Sequence, residues 1–284
     1  MRARQRQRSI SAAVCGLALL ALGACTSPGG GPPAATLSPE RIAAIVASPE
    51  RSATDRINDQ RRKPVQMLAF IGIRPGMVAL DLSAGGGYTT ELVARAIGPG
   101  GKVYGQNAPR IPRPAPAQPE GAAAPLAAPT PAAAASRPAP LGVSGRAQAL
   151  TAGSIVPVVQ PFENPVPAEV AANGLDLVTL MFNYHDLGHM GVDRAAMNRG
   201  VFAALKPGGL FVIADHSGRQ GTGISESGTL HRIEEAFLRA EVERAGFKLL
   251  EEGNFLRNPA DPRDKNTPEP PQPKDEFVLK FVKP

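Results

Sequence analysis

A strand-like segment, a glycine-rich turn and a helix-like segment follow one another over residues 77–97, MVALDLSAGGGYTTELVARAI. The apolar run up to Leu82 predicts a short buried strand, and the pattern from Thr89 to Ile97 predicts a helix. Between them, three successive glycines (residues 85–87) let the backbone approach a ligand closely, because no Cβ intervenes. Helix N-termini offer free N–H groups to such ligands. The segment therefore predicts a binding site at the carboxyl end of a strand, beside Asp81.

Strands and helices alternate along most of the chain. Strands are predicted over residues 77–82, 102–106, 155–160, 175–182, 210–214, 247–250 and 276–282. Helices are predicted after Ser38 and over 53–71 (bent or split at Pro64), 89–97, 193–205 and 229–245, the last with Leu230, Ile233, Phe237 and Ala240 facing inward. This order predicts an α/β, Rossmann-like three-layer sandwich with a mostly parallel seven-stranded sheet. No full helix fits between the last two strands, so the last is expected to be antiparallel.

The N-terminal residues are typical of an export signal. Four arginines precede an apolar run from Ile10 to Ala24, which is shorter than the ~20 residues needed to span a bilayer. LGAC, ending at Cys25, resembles a bacterial lipoprotein signal. We expect a signal peptide over 1–24 and a lipidated tether over 25–37, anchored to the membrane at Cys25. The alternatives are an uncleaved apolar helix or a wrongly assigned start codon.

This signal predicts a location in the bacterial cell envelope, facing the periplasm. The residue after Cys25 is Thr26 rather than Asp, which favours the outer membrane. If the signal is not used, the protein is expected in the cytoplasm. The chain has two cysteines, Cys15 and Cys25, so processing would leave no thiol for a metal site or a nucleophile.

Charge and composition argue against a nucleic-acid partner. The net charge of +6 comes from residues 1–24 and 108–142, and the remaining residues have no net charge. With no Trp and 5% aromatic residues, base stacking also lacks support. Residues 108–142 are so rich in Pro and Ala that they predict a disordered insertion into one domain spanning 38–284.

Two common phosphate-binding motifs do not fit the glycine cluster. A nucleoside triphosphate loop needs GxxxxGK[ST], and no such lysine is present. In the dinucleotide pattern GxGxxG the third glycine is replaced by Thr90, and Gln106 and Asn107 stand where an acid would bind the ribose. These departures oppose a hydride-transfer enzyme. A D/E-x-G-x-G-x-G loop fits from Asp81 onward, except at Ser83.

With GGGYT, NYHD, LKPGG and a C-terminal FLRNPADPRD…FVLKFVKP, residues 50–284 outside the insertion resemble class I S-adenosylmethionine (SAM)-dependent methyltransferases, and more closely a bacterial family of predicted methyltransferases. The resemblance implies an enzyme that uses SAM to methylate an unidentified, small-molecule acceptor. It places Asp81 near the SAM amino group, residues 85–87 beneath the methionine part, Gln106 or Asn107 at the ribose and Glu163 near the adenine. The full implied cofactor set is Asp81, Ser83, Gly85, Gly86, Gly87, Tyr88, Gln106, Asn107, Glu163 and Asn183.

The NYHD segment is expected beside the methyl group that is transferred. Tyr184 and His185 are the candidate catalytic residues, since either could shape the acceptor pocket or accept a proton. Alternatively, Tyr184 packs in the core and His185 caps the next helix. All four histidines fall between 185 and 231, but no HExxH or cysteine pair accompanies them, so no metal site is expected.

The export signal and the implied cofactor conflict, because SAM is made in the cytoplasm. The alternative function is therefore a non-catalytic envelope lipoprotein that binds a metabolite or a protein partner in the same crevice. The sequence does not indicate the acceptor or the oligomeric state.

Overall fold

The computed structural model describes residues 35–109, 142–266 and 272–284. Within them, seven strands form one sheet in the order β3-β2-β1-β4-β5-β7-β6. The strands are β1 Val78–Leu82, β2 Lys102–Asn107, β3 Ile155–Val159, β4 Leu175–Met181, β5 Leu205–His216, β6 Lys248–Gly253 and β7 Glu276–Val282. β7 lies antiparallel between β5 and β6, and the other pairs are parallel. The predicted sheet with an antiparallel last strand is confirmed.

Helices cover both faces of this sheet. They are α1 Pro39–Ala47, α2 Ala53–Arg62, α3 Pro64–Ile71, α4 Tyr88–Ile97, α5 Val143–Ala149, α6 Asp186–His189, α7 Arg194–Ala204 and α8 Glu235–Arg244, with a 3₁₀ turn at Ala168–Val170. Side chains alternate between the faces, so Leu80 and Val178 pack with α7 and α8, whereas Ala79 and Leu177 pack with α1, α3 and α4. The sheet with helices on both faces confirms the predicted three-layer sandwich.

The helix predicted over 53–71 is two helices. Lys63 has a φ of +43°, a left-handed conformation that ends α2, and Pro64 opens α3. Proline suits the first helical position because its fixed φ is helical and its missing N–H would have no partner there. The break turns α3 away from α2, and α2 remains free to line a cleft.

The helix predicted from Thr229 begins only at Glu235, so that prediction is wrong at its start. Ile233 N–H donates to the carbonyl of His216 at 3.1 Å, and Gly218 N–H donates to the carbonyl of Ile233 at 2.7 Å. These bonds replace the helical ones. The helix that does form buries Leu238 and Val242, and the predicted inward residue Ala240 is exposed.

The LKPGG segment lies within β5 rather than before it. Leu205 already pairs with Leu175, and the next pair joins Leu210 to Leu177, so residues 206–209 bulge out opposite a single residue, Asp176. Gly208 has a φ of +76° in this bulge, where glycine is favoured. The strand was predicted correctly but is longer than expected.

Some predictions fall outside the described residues. These are the signal peptide over 1–24, most of the tether over 25–37 including Cys25, and most of the insertion over 108–142. The strands on either side of that insertion, β2 and β3, are paired neighbours. Within the described ranges, no helix combines the length and the apolar character needed to cross a bilayer.

Arg232 is fully buried just before α8, and its substitution tests how much its buried ion pair stabilises the fold. Its guanidinium donates to both carboxylate oxygens of Asp261 (2.9 and 3.2 Å) and to the carbonyls of Ser217 and Lys265. We expect Arg232→Met to lower the free energy of unfolding by about 3 kcal/mol or more, because Asp261 would keep a buried, uncompensated charge. Urea unfolding measures this.

The matched control is Arg239→Met in α8. Arg239 forms exposed ion pairs with Glu243 and Glu252, which together are worth at most ~1 kcal/mol. Equal decreases in the free energy of unfolding of the two variants would show that the buried pair of Arg232 and Asp261 does not stabilise the fold more than a surface ion pair does.

Candidate functional site

A cleft opens at the carboxyl ends of β1 and β4, where the strand order reverses. Such a switch point is the usual ligand site of an open α/β sheet. Its lining residues are Thr54, Asp55, Asn58, Arg62, Asp81, Ser83, Ala84, Gly85, Gly86, Tyr88, Thr89, Arg146, Met181, Phe182 and Asn183. Of the ten predicted cofactor residues, the cleft brings together Asp81, Ser83, Gly85, Gly86, Tyr88 and Asn183.

Asp81 lies at the base of the cleft and is almost completely buried. The hydroxyl of Thr90 donates to its Oδ2 at 2.6 Å, and that of Thr179 to its Oδ1 at 2.7 Å. Burial raises the pKa of Asp81 to about 6, although both hydroxyls act to lower it. Each carboxylate oxygen keeps capacity for a further donor, so the group is ready for a cationic ligand.

The loop after β1 has left-handed backbone at three positions. Ser83, Gly85 and Gly87 have φ values of +58°, +55° and +83°. A Cβ on Gly87 would lie 2.8 Å from Cδ of Arg146, so only glycine fits there. Ser83 stands where the motif has glycine, yet it adopts the required conformation, and its hydroxyl donates to Oδ1 of Asn183 at 2.6 Å.

Gln106 and Asn107 support this loop from behind and do not line the cleft. Gln106 is fully buried, accepts from Ser83 N–H at 3.0 Å and donates to the carbonyl of Gln160 at 2.6 Å. Asn107 accepts from Gly85 N–H at 2.8 Å and donates to the same residue's carbonyl at 3.2 Å. The oxygen and the nitrogen of each amide are thus engaged with the backbone of the protein. Glu163 is exposed and also does not line the cleft.

Arg146 is a site residue that sequence reasoning missed. Its Nε donates to the carbonyl of Gly86 at 2.6 Å, and its other nitrogens bind both oxygens of Asp55 at 2.6 and 3.0 Å and the carboxylate of Glu91. Burial lowers the pKa of Arg146, but the two acids outweigh it and raise the pKa above the ordinary value. No local motif marks Arg146, because its partners come from α2 and α4.

Arg62 was also missed. Its guanidinium lies over two aromatic rings, 5.1 Å from the centroid of Tyr88 and 4.7 Å from that of Phe182. Burial and the neighbouring Arg61 lower its pKa. Among the described residues, no carboxylate forms an ion pair with Arg62, although it lines the cleft. An anionic ligand group would supply the missing charge.

Tyr184 does not reach the cleft. It is fully buried in the core beneath α7 and α8, where its hydroxyl donates to Glu241 at 3.0 Å and accepts from Asn198 at 2.9 Å. Burial and Glu241 raise its pKa well above the ordinary value. The catalytic role predicted for Tyr184 is therefore wrong in this geometry, because the side chain packs and cannot contact an acceptor.

His185 is nearly buried and lies between two carboxylates. Its Nδ1 is 2.6 Å from Oδ1 of Asp215, and its Nε2 is 3.1 Å from Oδ1 of Asp186. Burial lowers the pKa of His185, but these two acids outweigh it and raise the pKa to about 9. Both ring nitrogens are then protonated at neutral pH, so the predicted general base has no lone pair. The alternative, a helix cap, is also wrong, since the side chain of His185 makes no capping bond.

The four histidines come together in space. Ring centroids are separated by 5.2 Å between His185 and His216, 5.8 Å between His185 and His231, and 5.6 Å between His189 and His231. The spacing in the sequence could not show this, because His216 and His231 come from later segments. Burial lowers the pKa of His216 to about 3, so its ring is neutral.

Comparison with solved structures identifies the fold. A SAM-dependent methyltransferase from Aquifex aeolicus matches at 17% identity and a TM-score of 0.51, over 87% of this chain and 100% of that chain. A chain from the Haloferax volcanii complex between the Trm112 methyltransferase activator and its candidate methyltransferase matches at 17% identity and a TM-score of 0.52, over 88% of this chain and 100% of that chain. The arsenic(III) S-adenosylmethionine methyltransferase of Chlamydomonas reinhardtii matches at 16% identity and a TM-score of 0.50, over 89% of this chain and 74% of that chain.

This is the SAM-dependent methyltransferase fold. No family model matches the chain, and no curated protein matches it significantly. At these identities the methyltransferase fold is shown, whereas activity and acceptor are matters for proposal.

The raised pKa of Asp81 generates a prediction about stability. Ionised Asp81 destabilises the folded state above about pH 6, and this cost decreases to nothing as the pH falls from about 6 to 4. We expect Asp81→Asn to raise the free energy of unfolding at pH 7 by about 1–3 kcal/mol, because the uncharged amide can accept from one threonine hydroxyl and donate to the other after that hydroxyl rotates. The gain should vanish near pH 4.

Urea unfolding at the two pH values measures this gain. Asp264→Asn, at an exposed position, is the control and should change stability by less than about 0.5 kcal/mol. A loss of stability in Asp81→Asn at pH 7 would contradict the inference that the charge is held at a cost.

Proposed function

We propose that the protein binds SAM in this cleft and transfers its methyl group to a small-molecule acceptor. The observation that carries the proposal is a pair of opposite charges in one cleft, the buried carboxylate of Asp81 and the guanidinium of Arg62. The amino-acid end of SAM carries an ammonium and a carboxylate. Asp81 would accept from the ammonium, and Arg62 would pair with the carboxylate.

The glycine loop supports the same placement. Gly85 and Gly86 line the cleft, and a Cβ added at either would meet no protein atom within 4 Å, so the missing side chains leave space in which a ligand can approach the backbone. Tyr88 opens α4 beside them, and no side chain caps the N-terminus of that helix, so its first N–H groups can serve as donors to a ligand.

When bound, SAM supplies an electrophilic methyl group on a sulfonium. The residues of this chain would hold the two reactants in line and exclude water, which is the main contribution of a protein to such a displacement. Neither His185 nor Tyr184 offers a basic lone pair at neutral pH. The proposed acceptor is therefore a nucleophile that reacts without a general base from these two residues.

A shallow apolar depression adjoins the cleft and is the proposed contact surface for part of the acceptor. It shares Arg62, Tyr88, Thr89, Met181 and Phe182 with the cleft. The rest of its lining is Pro64, Met67, Leu68, Ile71, Leu92 and Val93. This lining favours an acceptor that presents a small apolar group to the depression.

Calorimetric titration of SAM into the full-length chain tests the function. We expect binding near the micromolar range, or about −8 kcal/mol. Arg62→Met should weaken it about 10- to 100-fold, because a hydrogen bond to a charged group is worth about 1.5–3 kcal/mol. Arg199→Met, at an exposed position on α7, is the matched control and should bind like the parent.

No binding at millimolar SAM would refute the methyltransferase proposal. The cleft would then belong to the alternative, a non-catalytic envelope protein with another ligand. If Arg62→Met and the parent bound SAM with equal affinity, SAM binding would stand, but the proposed contact between Arg62 and the SAM carboxylate would be wrong.

We further propose that the protein is a lipoprotein of the cell envelope, anchored through Cys25. The support is the LGAC segment at the end of a short apolar run with a basic start. In cells, the chain should sediment with membranes and lose residues 1–24, as mass measurement of the purified protein would show. Cys25→Ser should abolish both changes, whereas Cys15→Ser should leave them intact. A cytoplasmic, unprocessed parent chain would contradict this location.

A further inference from the structure

The histidine cluster presents a set of possible ligand atoms at one point. His185, Asp186 and His231 each offer one atom, and these atoms lie within 4.8 Å of one another. Oδ1 of Asp186 lies at the centre, 3.1 Å from Nε2 of His185 and 2.7 Å from Nδ1 of His231. They come from α6 and from the segment before α8, which meet beyond the ends of β4 and β5.

We propose that His185, Asp186 and His231 form a binding site for a divalent first-row transition metal, with Zn²⁺ the first choice. Zinc binds nitrogen and oxygen ligands at about 2.0–2.2 Å. Two ligands at that distance lie roughly 3.0–3.5 Å apart in tetrahedral or octahedral geometry. The separations of 3.1 and 2.7 Å are within a few tenths of an ångström of this range.

The ring of His185 is held in the orientation that a metal ligand needs. Asp215 is fully buried, its Oδ1 lies 2.6 Å from Nδ1 of His185, and its Oδ2 accepts from the backbone N–H of His185 at 2.8 Å. Metal-binding histidines usually donate their second ring N–H to such a carboxylate. With Nδ1 fixed in this way, Nε2 points at Asp186, and a metal there would replace the proton between them.

Asp186 is oriented as well. Asn183 donates from Nδ2 to Oδ2 of Asp186 at 3.0 Å, which leaves Oδ1 for the shared centre. Asn183 also accepts from the hydroxyl of Ser83 at 2.6 Å. One amide therefore joins the proposed metal site to the glycine loop, so an ion at Asp186 would also fix one wall of the cleft.

The site is open to solvent on one side. The side chains of His231 and Asp186 are 38% and 23% exposed. His189 lies nearby, but its Nδ1 is 3.0 Å from Oγ of Ser227 and 3.8 Å from Oδ1 of Asp186, so it is not among the proposed ligands. Three protein ligands with open positions are typical of reactive rather than closed structural zinc sites, and the ligand types suit zinc, iron or nickel.

The test is titration of tag-free, full-length protein, first treated with a chelator, with Zn²⁺ by calorimetry and with Co²⁺ by visible absorption. We expect one ion per chain with an affinity near micromolar or tighter, and cobalt ligand-field bands. Asp186→Asn and His231→Asn should each weaken binding at least about 100-fold, because a three-ligand site loses a bond. Asparagine suits position 231, since His231 has a φ of +51°.

Glu169→Gln, at an exposed position on the 3₁₀ turn, is the matched control and should bind like the parent. Circular dichroism of each variant checks that it is folded. The proposal is overturned if the parent chain binds neither ion, or if both ligand variants bind like the control. Because the readout is the ion itself, this result does not depend on SAM binding or on methyl transfer.

Discussion

The ion-pair network around Arg146 is the interaction on which the cleft depends. One buried guanidinium joins α2 through Asp55, α4 through Glu91 and the glycine loop through the carbonyl of Gly86. These are the three parts of the chain that form one wall of the cleft. Removing the guanidinium would leave the buried carboxylate of Asp55 without its cation, whereas Glu91 would keep its ion pair with Arg95, and the loss at Asp55 commonly exceeds the value of the pair itself. Because α2 also carries Arg62, the same network helps to set the position of that guanidinium in the cleft.

The charges in the cleft also determine what chemistry the chain can perform. Asp81 and Arg62 face the same space, yet each lacks an opposite charge in direct contact among the described residues. Burial of an unpaired charge costs free energy, and a ligand that carries both opposite charges would offset that cost at Asp81 and Arg62. By contrast, His185 and Tyr184 are fully engaged within the protein. The site therefore favours binding and alignment over proton transfer by these two residues.

Local pattern was sufficient to predict the sheet and the glycine loop. The strands are apolar runs bounded by turn residues, and the antiparallel last strand follows from the missing crossover helix. Prediction failed where distant residues decide the local structure. Ile233 pairs with the end of β5 instead of extending α8, and Gln106 turns away from the cleft to support Ser83. The partners of Arg146 and His231 likewise come from segments far away along the chain, so no motif contains them.

The position of β7 has a consequence for the order in which the molecule can assemble. β7 follows β6 along the chain, but in the sheet it lies between β5 and β6 and is paired with both. In the sheet, β6 pairs with β7 and with no other strand. It therefore cannot join the sheet until β7 has been synthesised. During translation the five strands in the order β3-β2-β1-β4-β5 can therefore pair first, with the exposed edge of β5 as a template. Completion of the domain is then a single late event, in which one strand inserts and brings its neighbour with it.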